Sequence, residues 1–382
     1  MKTVWGEQLH PESVLLEYPR PQLVRGSYEN LNGFWDYAIT KTDVRPDTWD
    51  GKILVPFSPE AELSGVNRTL HPGEILWYRR TLSVPAITAG MRLLLHIGAC
   101  DQRAKIFCNG QYVFEHVGGY TAFSADLTAF LRPGDNELIV QVKDDLEASQ
   151  LSRGKQSSKR GGIWYTPQSG IWQTVWLESV PQNYIRSLRV TPLFDAHQVE
   201  ITVEGEGQCT IDLEGRRYTF PAGVPAHVPV RAFRPWSPEQ PTLYPFSVTL
   251  GSDTVYSYFA MRKCSVETDK DGVRRLFLNG KPYFINGVLD QSFNPKGFFT
   301  LPSDDDCREE ILRLKRIGIN MARIHIKAEE PLKLYYADKL GLLIMEDIPC
   351  FWGEPTPEAR VQFEREMEWQ IKRDRSHPSI FY

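Results

Sequence analysis

The feature that most constrains this chain is the alternation of strand-like and helix-like segments over residues 279–382. Tyr283 to Gln291 is an apolar run, Asp304 to Ile317 has helical spacing, Met321 to Ile326 reads as a strand and Pro331 to Leu340 as a helix. Leu342 to Ile348 then predicts a third strand, Glu358 to Asp374 a third helix, and Ile380 opens another apolar stretch. That β-α-β-α-β-α order predicts a parallel α/β layer. Ser303 ahead of Asp304, Asp305 and Asp306 caps the first helix, Gly318 can end it, and Thr356-Pro357 starts the third. Val361, Phe363, Met367 and Ile371 recur at roughly helical spacing and are expected to face the core.

Side chains alternate across a strand, so Met321, Arg323, His325 and, if the strand continues, Lys327 share one face. Polar groups gathering at a strand's C-terminal end need water, a charged partner or a ligand, and in a parallel barrel that end carries the active site. Arg323 would bridge or orient carboxylates, His325 would sit satisfied in the interior or contact a sugar hydroxyl, and Lys327 would be solvated or touch substrate. Asp290 ends the first strand and Glu346-Asp347 the third. Adjacent strand residues point to opposite faces, so Glu346 and Asp347 cannot form a facing pair. Asp290 and Asp347 are candidates for substrate binding or structural support, and Trp352, on the next loop, for stacking on a sugar ring or for loop packing.

Residues 1–181 read as all-β, with strands at Gly33 to Ile39, Leu76 to Val84, Arg92 to Ile97, Ala104 to Cys108, Leu138 to Val142 and Gln173 to Glu178. Asn109-Gly110 is a hairpin turn, Gly118-Gly119 and Pro133-Gly134 are breakers, and Asp126 can cap a short turn. The run from Ser152 to Gly162 carries Arg153, Lys155, Lys159 and Arg160 without interleaved aromatics, which predicts a mobile surface loop. Trp164 and Tyr165 follow it, so it can lean over a neighbouring site. Residues 182–264 alternate again at Gln198 to Glu204, Cys209 to Leu213 and Phe246 to Leu250, as in a small immunoglobulin-like sandwich.

The 382 residues, 41% hydrophobic, suffice for two or three cores. A net charge of −4 gives no electrostatic reason to expect a nucleic-acid partner. No run approaches the roughly eighteen apolar residues of a membrane helix, and Glu7, His10, Glu12 and Glu17 interrupt any signal-like stretch, so a cytoplasmic protein is expected. The six cysteines include no Cys-x-x-Cys pair and are expected reduced, with no metal and no cofactor implied.

Several segments together bring a family into view. They are Leu31-Asn32-Gly33-Phe34-Trp35, Leu76-Trp77-Tyr78-Arg79-Arg80, Val117-Gly118-Gly119-Tyr120 and Ser169-Gly170-Ile171-Trp172-Gln173-Thr174-Val175-Trp176. They continue with Pro235 to Tyr244, Phe259 to Lys263, Leu278 to Pro282, Leu314 to Asn320 and Arg375 to Ile380. In this order the chain resembles the front part of glycoside hydrolase family 2, the group of β-galactosidases, β-glucuronidases and β-mannosidases. The resemblance implies a jelly-roll sugar-binding domain over 1–181, an immunoglobulin-like sandwich over 182–264 and a partial TIM barrel over 265–382.

It also implies a retaining mechanism, with two carboxyl groups about 5 Å apart as nucleophile and acid/base. Both are glutamates in the family, the first following an Asn just past the fourth barrel strand. His377-Pro378-Ser379-Ile380 resembles the lead into that strand, so both are expected after Tyr382 and no residue of this chain is assigned to catalysis. The chain therefore reads as a fragment or shortened product of a longer β-glycosidase, inactive by itself. The alternative is a non-catalytic protein that binds carbohydrate or a partner. A second copy of the chain could cover the open barrel edge, as a homo-oligomer. Gly287-Val288-Leu289-Asp290-Gln291 and Arg323-Ile324-His325-Ile326-Lys327 depart from common family patterns, which leaves the sugar open and removes the basis for a metal site. The substrate-binding set is Asp290, Arg323, His325, Lys327, Asp347, Trp352, Trp164 and Tyr165.

Overall fold

The computed structural model describes residues 3–84 and 88–381; Met1, Lys2 and Tyr382, at the ends of the expected first and last segments, lie outside the described residues. The front of the chain forms two antiparallel sheets. One orders Tyr28–Asn30, Val175–Pro181, Met91–Ile97 and Phe123–Asp126. The other orders Gly51–Val55, Gly33–Thr40, Ile75–Val84, Gly134–Lys143, Arg103–Cys108 and Gln111–Val117. Between them Trp35, Tyr78, Leu95, Ile106, Val140 and Leu177 are buried, which supplies the apolar area a jelly-roll sandwich needs. Asn109 and Gly110 both take positive φ and join Arg103–Cys108 to Gln111–Val117, a turn whose twist suits a hairpin. Gln111–Val117 left no signature in the sequence because it is mostly exposed and has no buried face.

A second, immunoglobulin-like sandwich follows. Ser187–Leu193, Gln198–Glu204 and Ala226–Pro229 form one sheet, and Arg216–Pro221, Gln208–Leu213, Tyr244–Leu250 and Asp253–Phe259 the other. Burial alternates as expected, with Val199, Ile201 and Val203 turned inward. Arg25, on the strap that precedes the first strand, is buried between the sandwiches and pairs with Glu178 of one at 2.8 Å and Asp253 of the other at 2.9 Å. Removing either acid would leave that guanidinium with uncompensated charge, so the strap fixes the two sandwiches together.

After a hairpin of Cys264–Thr268, Arg274–Leu278 and Lys281–Pro282 comes the parallel layer, with strands Gly287–Asp290, Met321–Ile324 and Leu343–Glu346 in that order. Helices Asp304–Arg316, Pro331–Leu340 and Pro357–Asp374 connect and follow them, giving the first part of a (β/α)8 barrel. Ser303 and Thr356 accept from the backbone amides of Asp306 at 3.1 Å and Ala359 at 3.2 Å, the N-caps read from sequence. Ala322 and Ile324 pack on Ile311, Leu334 and Ala337, so the even face of the middle strand is core. Ile380 bridges Ile344 in parallel, and Asp338 accepts from the Tyr258 hydroxyl, the Ser379 amide and the His377 ring. The His-Pro-Ser-Ile segment is thus an anchor to both the second sandwich and the barrel.

The third helix overturns one expectation. Val361 and Ile371 are exposed, while Glu366, Gln370 and Asp374 are buried. The surfaces against this helix present backbone carbonyls: Gln362 donates to Val117 O at 3.0 Å and Gln370 to Asp347 O at 3.4 Å, so the polar stripe is the one drawn inward. Among the described residues no helix is long and apolar enough to cross a membrane.

Candidate functional site

The middle strand ends at Ile324, and Ile326 adopts a φ of 53°, so the two-residue period stops before Lys327. Lys327 leaves the face shared by Arg323 and His325 and is 1% exposed. Its ammonium donates to Glu329 at 2.9 Å, to the Phe299 carbonyl at 3.1 Å, and to the Ser292 hydroxyl and carbonyl at 3.1 and 3.2 Å. The expectation of a solvated or substrate-facing Lys327 is therefore corrected: all its donors are spent in the interior.

Lys327 belongs to a buried charge layer beneath the strand ends. Lys333 lies between Asp290 and Glu310, each at 2.9 Å, with Glu329 at 3.5 Å. Burial alone would raise the Glu329 carboxyl, but Lys327 and Lys333 outweigh it and hold it at about 2. Burial opposes the charge on Lys333, and Asp290, Glu310 and Glu329 overcome that and raise it well above its ordinary range. Glu346 turns to the same interior, accepts from the Glu329 amide at 2.6 Å, and is pushed well up by burial and by Asp374.

Asp347 turns the other way, as the strand period requires. Both its oxygens accept from Arg323, at 3.0 Å each, and Arg323 stays 42% exposed. This forked pair floors the mouth. His325 lies beside it, with Nδ1 3.1 Å from Gln291 Nε2 and Nε2 3.9 Å from Asp347. Burial and then the Lys155 ammonium lower the His325 pKa, which favours the neutral ring. Asp290, drawn down to Lys333, also accepts from the Ser292 amide at 2.7 Å.

The front sandwich supplies a wall. Trp352 donates to the Gly154 carbonyl at 2.7 Å, and its ring meets Trp164 edge-on at 5.1 Å. Tyr165 packs on Phe293 at 5.2 Å. Residues 151–154, 156 and 157 are buried, because the amides of Arg153 and Gly154 both donate to the Cys350 carbonyl, at 3.1 and 2.9 Å, and Gln156 donates to Asp101 at 2.7 Å. The mobile-loop expectation therefore fails for the first half of the basic run, while the second half lies at the surface. Of the eight residues read from sequence, Arg323, His325, Asp347, Trp352, Trp164 and Tyr165 gather around the mouth, while Asp290 and Lys327 are drawn into the charge layer beneath it.

Gln291, Phe293, Glu329 and Lys333 were absent from that reading. Phe293, two residues past a strand end, and Glu329-Glu330, just before a helix-starting Pro331, carried the available signal. Among the described residues no three His, Cys, Asp or Glu side chains gather as a metal cluster. The mouth instead offers flat rings at Trp352, Trp164 and Tyr165 and a ring of donors and acceptors, a combination suited to stacking and hydroxyl recognition.

A sandwich lending aromatic rings to the C-terminal ends of parallel strands makes this a multidomain protein with a candidate site at the mouth of its partial barrel. Residues 64–181 match the model for "Glycosyl hydrolases family 2, sugar binding domain". A putative beta-glucuronidase of Formosa agariphila is 23% identical over 92% of this chain and 45% of its own length. A beta-galactosidase of Thermoanaerobacter pseudethanolicus is 25% identical over 80% and 44%, and the beta-glucuronidase of Sus scrofa 25% over 99% and 66%. The crystal structure of Bacteroides uniformis beta-glucuronidase superposes with a TM-score of 0.71 at 25% identity, over 92% of this chain and 46% of that one. That of Dictyoglomus thermophilum beta-D-glucuronidase gives 0.77 at 20%, over 95% and 67%. Residues 64–181 thus match the sugar binding domain of glycosyl hydrolase family 2, and the chain is similar to beta-glucuronidases and a beta-galactosidase over most of its length. It spans less than half of the first two relatives.

Proposed function

We propose that this chain is the front portion of a retaining β-glycosidase that hydrolyses O-glycosidic bonds in carbohydrates, with domain limits at 1–181, 182–264 and 265–382. The observation that carries the reading is the mouth: the Arg323–Asp347 fork, His325 and Gln291 at the ends of parallel strands, walled by Trp352 and by Trp164 and Tyr165 of the front sandwich. Similarity to beta-glucuronidases and a beta-galactosidase supports it. In this reading Asp347 and His325 accept from or donate to sugar hydroxyls, Arg323 fixes Asp347, and the rings stack on apolar sugar faces. Asp290 acts by holding the Ser292 turn and Lys333.

The retaining reaction needs two facing carboxyls. Asp290 is committed to Lys333, Asp347 to Arg323, and Glu346 to the interior, so we assign the catalytic pair outside residues 1–382 and expect these residues alone to be inactive. We also place the protein in the cytoplasm, where its six free cysteines suit a reducing environment. The test is the intact mass of the protein isolated from its source, with its turnover of a panel of chromogenic β-glycosides. Turnover by a larger protein supports the reading. A protein of 382 residues that binds saccharide without turnover would replace it with a non-catalytic carbohydrate-binding role.

A further inference from the structure

The basic run beside the mouth is unexplained by stacking or by the fold. Gly154 has a φ of 56°, and a Cβ there would lie 2.7 Å from the Ile326 carbonyl oxygen and 3.0 Å from the Tyr120 hydroxyl. This close approach, with the two amides held by Cys350 and the Gln156 bond to Asp101, locks the backbone on both sides of Lys155. The Lys155 carbonyl itself accepts from the Tyr165 amide at 2.9 Å.

The side chain, by contrast, is uncommitted. Its ammonium lies 5.8 Å from the centre of the Tyr165 ring, and it makes no ion pair or side-chain hydrogen bond among the described residues. Lys159 and Arg160, exposed at the tip of the same loop, are likewise without an acidic partner among the described residues. Glu147, an acid of the front sandwich tied to this loop, is occupied by the hydroxyls of Ser157 and Ser158. At the mouth, Asp347 is taken by Arg323. In a chain whose net charge is −4, three cations without an acidic partner among the described residues thus share one loop, Lys155 on its pinned half and Lys159 and Arg160 on its exposed half. After burial, Lys155 and Arg323 both lower the pKa of His325, so the Lys155 field reaches the mouth and not only solvent.

We propose that Lys155 reads negative charge on the substrate: a carboxylate or sulfate on the saccharide unit next outward from the one held over Arg323 and Asp347, so that acidic glycans are the substrate class. This rests on the glycosidase reading of the same mouth. The Tyr165 ring gives that outer unit an apolar platform, Lys155 meets its anionic group with a charge-assisted bond, and Lys159 and Arg160 extend the field along a longer chain.

The test is equilibrium binding to the 382-residue protein at low ionic strength, with three disaccharides that share one skeleton: a uronate, its neutral methyl ester and a sulfated form. The wild-type protein is expected to bind the uronate or the sulfate at least about tenfold more tightly than the ester. Lys155→Gln should abolish that ratio while leaving ester binding in place, and Lys155→Arg should keep it. Preference for the uronate alone identifies a carboxylate and for the sulfate alone a sulfate; both support the inference. Equal binding of all three, or a ratio unchanged by Lys155→Gln, overturns it and leaves the glycosidase reading standing. Failure to bind any of the three overturns the inference and leaves the glycosidase reading to its own turnover test. Lys159→Gln/Arg160→Gln, on the exposed tip, should reduce affinity for a longer acidic chain more than for the disaccharide.

Discussion

Two sets of charges, one above and one below the ends of the same three strands, follow opposite rules. The upper pair, Arg323 and Asp347, is open to water on the arginine side, and beyond the fork Asp347 accepts from the Ile326 amide at 3.3 Å. The lower set, Lys327, Lys333 and Glu329, is buried, and its groups depend on one another. An exposed pair contributes little to folding and is free to be used by a ligand. A buried one cannot lose a member without leaving charge stranded in a low-dielectric interior. Position relative to water, more than residue type, separates the two sets here.

Glu329→Leu would break the lower set and should have the largest effect. It strands the buried Lys327 ammonium, removes one of the three acids around Lys333, and is expected to destabilise the barrel segment by about 3–5 kcal/mol, read from denaturant unfolding. Acid should do the same by titration. The Glu329 carboxyl is depressed in the folded protein from 4.5 to about 2, so its contribution is fully present above pH 4.5 and is lost as pH falls towards 2. A shift of that size corresponds to about 3 kcal/mol. Its neighbour has the opposite sign: burial, with Asp304 and Glu329, raises Glu330 to about 7. Its contribution is present below pH 4.5 and is lost as pH rises to about 7, so Glu330→Gln should flatten the stability profile in that window.

A middle-sized effect is expected where the front sandwich meets the mouth. Gly154→Ala adds a Cβ against the Ile326 carbonyl in a left-handed backbone and should cost about 1–3 kcal/mol. The checking measurement is limited proteolysis, with faster cleavage within residues 152–162 expected. The smallest effect on folding belongs to the upper pair. Arg323→Ala should change stability by less than about 1 kcal/mol yet weaken saccharide binding measurably by calorimetry. A large loss of stability there would erase the distinction between the two layers.

Much of this was legible in sequence, and the failures share a cause. Strand and helix order, the caps at Ser303 and Thr356, and the opposed directions of Glu346 and Asp347 follow from local periodicity. Lys327 was misplaced because a single positive φ at Ile326 ends the strand early, and nothing in a β-branched residue announces that conformation. The third helix was turned the wrong way because its apolar stripe is obvious in sequence, while the carbonyls of Val117 and Asp347 that attract its polar stripe come from distant segments. The basic run looked mobile for the same reason: what holds it is the Cys350 carbonyl, almost two hundred positions along the chain.

That carbonyl also constrains how such a protein can change. Two amides of the front sandwich converge on one oxygen of the barrel, so residues 152–157 cannot lengthen or shorten without parting the two folds. Residues 158–163, a few positions on, face solvent and bear no such tie. Variation has a ready outlet in that short exposed arc, where insertions and new charges can accumulate while the Arg153 and Gly154 amides keep the architecture in register.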